Sequence, residues 1–399
     1  MPAISVNPGI YWIGVNDRTT DLFEGVWPIE QTGVSYNSYL VIDEKKALID
    51  LAKSTQSESF LDQIGDLMNP AELDYIIVNH MEPDHTGVIK TLRYLAPNAQ
   101  IVGTARTRGM LESYYGITEN VRTVEDGEDL SLGEKTLRFY SIPFVHWPET
   151  MATYEVTRRV LFSCDAFGGY GALRGAIFDD QYADMDFYIQ EALRYYVNII
   201  ARFSGPVLKA IAKLDGVPID VVAPSHGLVW RNDPGKIVQL YKTWAEYATH
   251  PAEAGITLIY GSMYGHTEQM MNAVAEGISN AGVPLRIFDA ARTHSSYILP
   301  HVWTNNGVMV GAPTYEVSLF PPVAQALSMI VNKRIVNRKA AYFGSYGWSG
   351  GARRECESIT ESLKWEWVEP FEFQGAPTRD DLHKGEEYGR RFAEMIAKG

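Results

Sequence analysis

The residues best able to do chemistry lie in one short stretch, Asn79-His80-Met81-Glu82-Pro83-Asp84-His85. It follows an apolar run, Tyr75-Ile76-Ile77-Val78, that reads as a buried strand. Pro83 removes a backbone donor and biases Glu82 away from helical space, so the spacing predicts an extended loop from His80 to His85. Side chains two apart share a face of an extended chain. His80, Glu82 and Asp84 are therefore expected together, with His85 on the other side. Two imidazoles and two carboxylates this close can serve two adjacent metal ions with little ordering of the rest of the chain.

Three later positions complete the set. A strand pattern over residues 136–142 leads to Val145-His146-Trp147-Pro148, the apolar run 160–163 ends in Cys164-Asp165, and residues 219–223 lead to Pro224-Ser225-His226-Gly227. Each alone has a plainer explanation: a histidine packed on Trp147, an aspartate closing a turn, a histidine before a turn glycine. Jointly they place four of the nine histidines, and three carboxylates, at the ends of apolar runs. Loops at the ends of neighbouring strands are where α/β folds assemble metal sites. One bridging carboxylate plus three terminal ligands per metal uses all seven residues. Mixed carboxylate and imidazole donors suit iron or manganese, and zinc accepts them too. Cys164 is expected on the opposite face from Asp165, as a small buried residue.

The elements that must position these residues alternate in type. Strand-like runs at 10–15, 36–42 and 47–50 precede a helical pattern over 57–68; a helix over 88–95 and a strand at 101–102 follow. The mixture predicts a layered α/β domain. Amphipathic segments at 188–203 and 237–247 read as helices covering a sheet, with Tyr188, Tyr195 and Tyr196 as packing residues. Thr249-His250-Pro251-Ala252-Glu253-Ala254-Gly255 has linker composition and divides the chain into domains 1–250 and 256–399.

After it, strands at 256–260, 284–288, 307–310 and 340–343 alternate with helices from 267, over 321–331, over 353–363 and over 380–397. Such alternation predicts a doubly wound parallel sheet with its ligand at the carboxyl ends of the strands. Ser262-Met263-Tyr264-Gly265-His266-Thr267 leads into a helix N-terminus, where free amides attract a phosphate. No Lys or Arg lies in that loop, which favours a monophosphate over a triphosphate. Ala312-Pro313-Thr314-Tyr315 and Gly344-Ser345-Tyr346-Gly347-Trp348-Ser349-Gly350-Gly351 add permissive glycines and aromatics able to stack on a planar ring.

With 399 residues, 46% hydrophobic and 21% charged, the chain has apolar material for two sizeable cores. A formal charge of −14 argues against nucleic acid or an anionic membrane as the main partner. Two cysteines, Cys164 and Cys356, preclude a disulfide framework or a four-thiolate iron site and fit a reducing compartment. The first residues carry neither a basic stretch nor an apolar core of signal-peptide type, and no run approaches membrane-span length. The expected location is the cytoplasm.

The first half resembles the metallo-β-lactamase-like domain, whose His-x-His-x-Asp-His loop carries two metals. Here Glu82 stands in the second histidine position, and that change, with His146, Asp165 and His226, is what the flavodiiron proteins show. The resemblance implies that His80, Glu82 and His146 bind one iron and Asp84, His85 and His226 the other, with Asp165 bridging. Residues 256–398 look like a flavodoxin, which implies FMN with its phosphate in the first loop and its ring between the other two. Tyr264 departs from the small hydroxyl residue usual at its place in that loop. Together the halves resemble the simplest flavodiiron proteins. The implied activity is reduction of dioxygen to water, or of nitric oxide to nitrous oxide, at a di-iron centre recharged by FMN. The resemblance also implies a head-to-tail homodimer or dimer of dimers and an external electron donor: a rubredoxin, a reduced deazaflavin coenzyme or an NADH-linked reductase. The competing readings are a zinc hydrolase with an accessory flavodoxin domain and a pure electron carrier.

Overall fold

A computed structural model of the chain describes residues 2–249 and 253–398. It divides into two compact units, the first ending at Ala245 and the second beginning at Glu246.

The first unit is built on two sheets. One has seven strands in the order Ile4–Asn7, Ile10–Trp12, Tyr39–Ile42, Lys46–Ile49, Tyr75–Ile77, Gln100–Gly103 and Val121–Thr123. The other has five: Asp129–Ser131, Thr136–Ser141, Met151–Glu155, Val160–Cys164 and Val221–Pro224. Every residue of Met151–Glu155 and of Val160–Cys164 is buried, so these strands are covered on both faces. The sheets share a core, with the Tyr39 ring 5.0 Å from that of Phe162. Val160–Cys164 pairs in parallel with Val221–Pro224, which brings the segments carrying Asp165 and His226 to the same sheet end.

Several expected elements are subdivided. The runs at 10–15 and 36–42 each break where the chain leaves the large sheet for a small one, formed by Val15–Asp17 and Val34–Tyr36. The segment 188–203 is not one regular helix: an α-helix over Met185–Tyr195 passes into a π-turn at Tyr196–Ile200, a 3₁₀ turn and a second helix, Ser204–Lys213. Tyr188, Tyr195 and Tyr196 are buried within it, as packing residues should be. The helix Ala105–Tyr115 and the strand Met151–Glu155 are additional to the expected elements, because neither has a clean apolar period.

In the second unit the strands of the main sheet run parallel, in the order Leu285–Asp289, Glu253–Tyr260, Asn305–Gly311 and Lys339–Tyr346, with Glu366–Trp367 and Phe371–Gln374 on the last, while Thr314–Tyr315 and Ser318–Leu319 form a small antiparallel pair apart from it. Ile256, Leu258, Met309 and Phe343 from the sheet meet Met270, Val274 and Ile278 from helix His266–Asn280, and Phe392 and Ile396 from helix Arg379–Ala397. Of the expected linker, His250, Pro251 and Ala252 lie outside the described residues, while Glu253–Gly255 already belong to the first strand. Among the described residues no helix is long and apolar enough to cross a membrane.

Candidate metal centre

Glu82 is extended, as a residue before proline must be (φ −58°, ψ 140°), but Pro83 then opens a helical turn, Pro83–Thr86. The expected extended loop is therefore corrected: proline is excluded from helix interiors, not from the first helical position. The turn also overturns the two-face arrangement. Asp84 and His85, adjacent on a helical turn, approach the same point as His226, and all three offer donor atoms within 4.8 Å of one another. His80, Glu82, His146 and Asp165 form the second group on the same criterion.

Asp165 divides its two oxygens between the groups. Its Oδ2 is 3.5 Å from His80 Nε2 and 3.3 Å from His146 Nε2, and its Oδ1 is 3.0 Å from His85 Nε2 and 3.4 Å from His226 Nε2. Glu82 Oε2 completes one side, 3.3 Å from His80 Nε2 and 3.1 Å from His146 Nε2. Asp84 completes the other, with Oδ1 and Oδ2 each 3.5 Å from His85 Nε2 and His226 Nε2 respectively. All seven sequence-predicted residues thus converge. Cys164, expected to face away, has its sulfur in reach of His85 and Asp165, because its own φ of +56° breaks the strand alternation. Burial pushes its thiol pKa well up, so it is a poor thiolate ligand.

Asp84 Oδ1, His85 Nε2, Asp165 Oδ1 and His226 Nε2 are buried and make no hydrogen bond. Buried polar atoms seldom go without a partner, and four aimed at one small volume fit cations held among them. The electrostatics agree. Burial opposes charge on the imidazoles, yet the Glu149 and Glu82 carboxylates raise His80 to about 9, Asp84 and Asp165 raise His85 to about 10, and Asp165 and Glu82 raise His146 to about 10. Burial likewise opposes ionisation of Glu82 and Asp165, but the facing imidazoles outweigh it and hold both well below the usual carboxylate range. The pocket is an anionic cage that demands positive charge.

Residues beyond the seven donors hold this arrangement. Asp50, at φ +51°, accepts from Asn79 N at 2.8 Å and Asn79 Nδ2 at 2.9 Å. Asn79 Oδ1 in turn accepts from Thr153 Oγ1 at 2.7 Å, tying the ligand loop to both sheets. Glu149 Oε1 accepts from His80 Nδ1 at 2.7 Å and Met81 N at 2.9 Å. Ser35 O accepts from His226 Nδ1 at 2.7 Å. Gly227 is obligatory: its φ is +77°, and a Cβ would stand 2.2 Å from Tyr188 Oη, which accepts from Leu228 N. No motif or periodicity in the sequence marks Asp50, Thr153, Glu149 or Ser35 for this role. A cavity of about 610 Å³ opens beside Glu82 and Asp84, walled by Phe23, Glu24, Tyr36, Lys53, Tyr114 and Tyr115.

The second unit carries its own pocket, about 150 Å³, where the strand ends meet helix His266–Asn280. Ser262, Met263, Tyr264, His266, Thr267, Pro313, Thr314, Ser345, Tyr346 and Gly347 line it, together with Gly375, which lies outside the three expected loops. Gly265 (φ +89°) turns the chain into the helix and donates its N–H to Ser262 Oγ at 3.0 Å. Thr267 Oγ1 and Ser345 Oγ lie 3.1 Å apart, and Thr314 Oγ1 is buried without a partner. Neutral hydroxyls at a helix N-terminus fit a flavin phosphate. Ala312 is fully buried in the sheet and does not line this pocket, nor do Tyr315, Trp348, Ser349 and Gly350. Tyr264 and Trp348 are 87% and 91% exposed.

Residues 34–227 match the family described as ODP family beta lactamase, and residues 258–389 match flavodoxin. The chain is 33% identical over 399 residues to a nitric oxide reductase of Moorella thermoacetica, spanning 99% of each. Rubredoxin oxygen:oxidoreductase from Desulfovibrio gigas superposes with a TM-score of 0.94 at 28% identity over 99% of both chains. A variant of the flavo di-iron protein from Thermotoga maritima does so at 0.90, with 30% identity over 99% of this chain and 98% of that one. With full-length similarity of this kind, and with a seven-donor cage in one unit and a flavodoxin pocket in the other, the chain belongs to the flavodiiron protein family.

Proposed function

We propose that this oxidoreductase takes electrons from a separate donor onto FMN in domain 256–399. It spends them at two irons in domain 1–250, reducing dioxygen to water (four electrons, four protons) or two nitric oxide molecules to nitrous oxide and water (two electrons, two protons). The observation that carries this reading is the division of Asp165 between two groups of three further donors. His80, Glu82 and His146 would hold one iron and Asp84, His85 and His226 the other, Asp165 spanning both. When bound, the irons supply two electrons and a place for a diatomic gas, and FMN supplies two more. The chain's own residues do the rest. Asp50, Asn79 and Glu149 hold the ligand loop, and Phe23, Tyr36, Tyr114 and Tyr115 give the adjoining cavity an aromatic wall, which Glu24 and Lys53 also line. Ser262, Thr267, Thr314 and Ser345 would hold the FMN phosphate.

The working form is a head-to-tail homodimer in the cytoplasm, one chain's flavin facing the other's irons. Exposed Leu22 and Val26 near the gas cavity, and exposed Met263, Tyr264 and Trp348 near the flavin loops, give each side of such a contact an apolar surface. The donor is a rubredoxin, a reduced deazaflavin coenzyme or an NADH-linked reductase, since residues 1–399 contain two cysteines, both buried, and a four-thiolate site needs four.

Metal and flavin analysis of purified protein, then anaerobic reduction and separate exposure to dioxygen and nitric oxide, tests the reading. Two irons and one FMN per chain with rapid reoxidation support it. Zinc without gas turnover would replace it by the hydrolase, and flavin without metal by the electron carrier.

A further inference from the structure

The two halves of the metal cage are matched in their inner donors but not in what stands behind them. Each has one carboxylate of its own, Glu82 or Asp84, and one oxygen of Asp165. Behind His226, Nδ1 donates to a neutral backbone carbonyl, Ser35 O, at 2.7 Å. Behind His80, Nδ1 donates at the same 2.7 Å to a carboxylate, Glu149 Oε1. His85 Nδ1 has no hydrogen-bond partner at all. Glu149 is 1% exposed; its Oε1 also takes the Met81 amide, and its Oε2 is buried with no partner. Among the described residues no lysine or arginine forms an ion pair with it; its one ionic neighbour there is His80. A backbone carbonyl suffices to orient an imidazole, as Ser35 does for His226. Burying a charge for that purpose alone is a costly choice.

We infer that Glu149 is a positioning residue whose negative charge makes the two metal positions electronically unequal, favouring the ferric state at the His80–Glu82–His146 position over the Asp84–His85–His226 position. A carboxylate behind a ligating imidazole increases the basicity of the metal-facing nitrogen. A stronger, more anionic donor stabilises the more highly charged ion. The first electron withdrawn from the reduced pair then leaves the position backed by Glu149. The second position has a carbonyl behind His226 and, behind His85, the buried Asp50 carboxylate, which acts through space without a hydrogen bond to His85 Nδ1 and is already bonded to Asn79. Only the first position has a charge hydrogen-bonded directly to a ligating imidazole, and the second would stay ferrous longer. That is also the position whose Asp84 lines the gas cavity, although Glu82 lines it as well. Each oxidation is a single electron passed to an external mediator, with no bond made or broken in the protein.

The inference rests on the reading that the cage holds iron. Metal analysis of the unaltered protein tests that reading first and separately, since zinc there would remove it whatever Glu149 does. The test proper is potentiometry of iron-57-enriched protein, followed by Mössbauer and electron paramagnetic resonance spectra, for the unaltered chain and for Glu149→Gln and Glu149→Asp. Glutamine keeps an acceptor oxygen for His80 and Met81 but loses the charge. Outer carboxylates of this kind are worth roughly 10–100-fold in metal affinity. A tenfold difference in favour of the ferric ion corresponds to about 59 mV for one electron. In Glu149→Gln the lower of the two potentials should therefore rise by about that amount, and the range over which one ferric and one ferrous ion coexist should narrow. Glu149→Asp should keep potentials near those of the unaltered protein. Unchanged potentials in an iron-loaded Glu149→Gln protein would overturn the inference, reducing Glu149 to a tether. If Glu149→Gln does not retain iron, Glu149→Asp decides: potentials kept despite the shorter side chain support a role for charge, and a raised lower potential with the charge present refutes it.

Discussion

Replacing Asp165 by alanine is the most direct test of the cage. Its oxygens stand 3.0 to 3.5 Å from four imidazole nitrogens, two on each side, whereas Asp84 touches only the His85–His226 side. Removing one partner from a buried charged set costs roughly 3–5 kcal/mol. At 1.4 kcal/mol per decade this is about two to three and a half orders of magnitude in affinity. For Asp165→Ala the loss falls on both positions; for Asp84→Ala it falls on one. Iron and FMN would be quantified per chain after dialysis against a weak chelator. Asp165→Ala should lose most of both irons, Asp84→Ala about one, and each should keep its FMN, whose lining residues all belong to the other unit. If Asp165→Ala retained as much iron as Asp84→Ala, the shared-ligand reasoning would be wrong.

The metal-free protein should have an unusual pH dependence. His80, His85 and His146 are raised above the unfolded value, to about 9, 10 and 10, so their contribution is present below about pH 6.5 and lost as pH rises through 9 to 10. Glu82 and Asp165 are depressed, so theirs is present above about pH 4.5 and lost on acidification below it. Urea midpoints of chelated protein should accordingly fall between about pH 6.5 and 10, and metal-loaded protein, whose metal-facing imidazole nitrogens carry no proton, should lack that fall; parallel profiles would contradict the assignment. Gly227→Ala combines left-handed backbone strain of about 1–2 kcal/mol with overpacking against Tyr188 of about 1–3 kcal/mol, so a denaturant midpoint shift worth under about 1 kcal/mol would refute the close approach. Ser262→Ala removes the acceptor of the Gly265 amide, worth about 1 kcal/mol, and should weaken FMN binding roughly fivefold in a flavin-fluorescence titration. Tyr264→Phe, changing a side chain that is 87% exposed, should leave that affinity unaltered in the monomeric unit.

Much of this molecule is legible in its amino-acid sequence, because the signals are local. The apolar runs that lead to His80, His146, Asp165 and His226 read as strands, and donor-type residues at their ends read as a shared site. The alternation after Ile256 announces a parallel sheet, since a buried parallel strand is a short continuous apolar run wherever it occurs. What stays hidden depends on distance in sequence. Proline is compatible with both an extended loop and a helical first turn, and only packing around His85 and Thr86, both fully buried, selects the turn and so the side on which His85 falls. Glu149, Asp50 and Ser35 look like ordinary surface residues in the sequence. They become part of the metal centre through hydrogen bonds spanning 69, 29 and 191 residues. Chain order dictates which residues are available and which elements they end; the closed fold alone decides which nitrogen faces inward and what charge stands behind it.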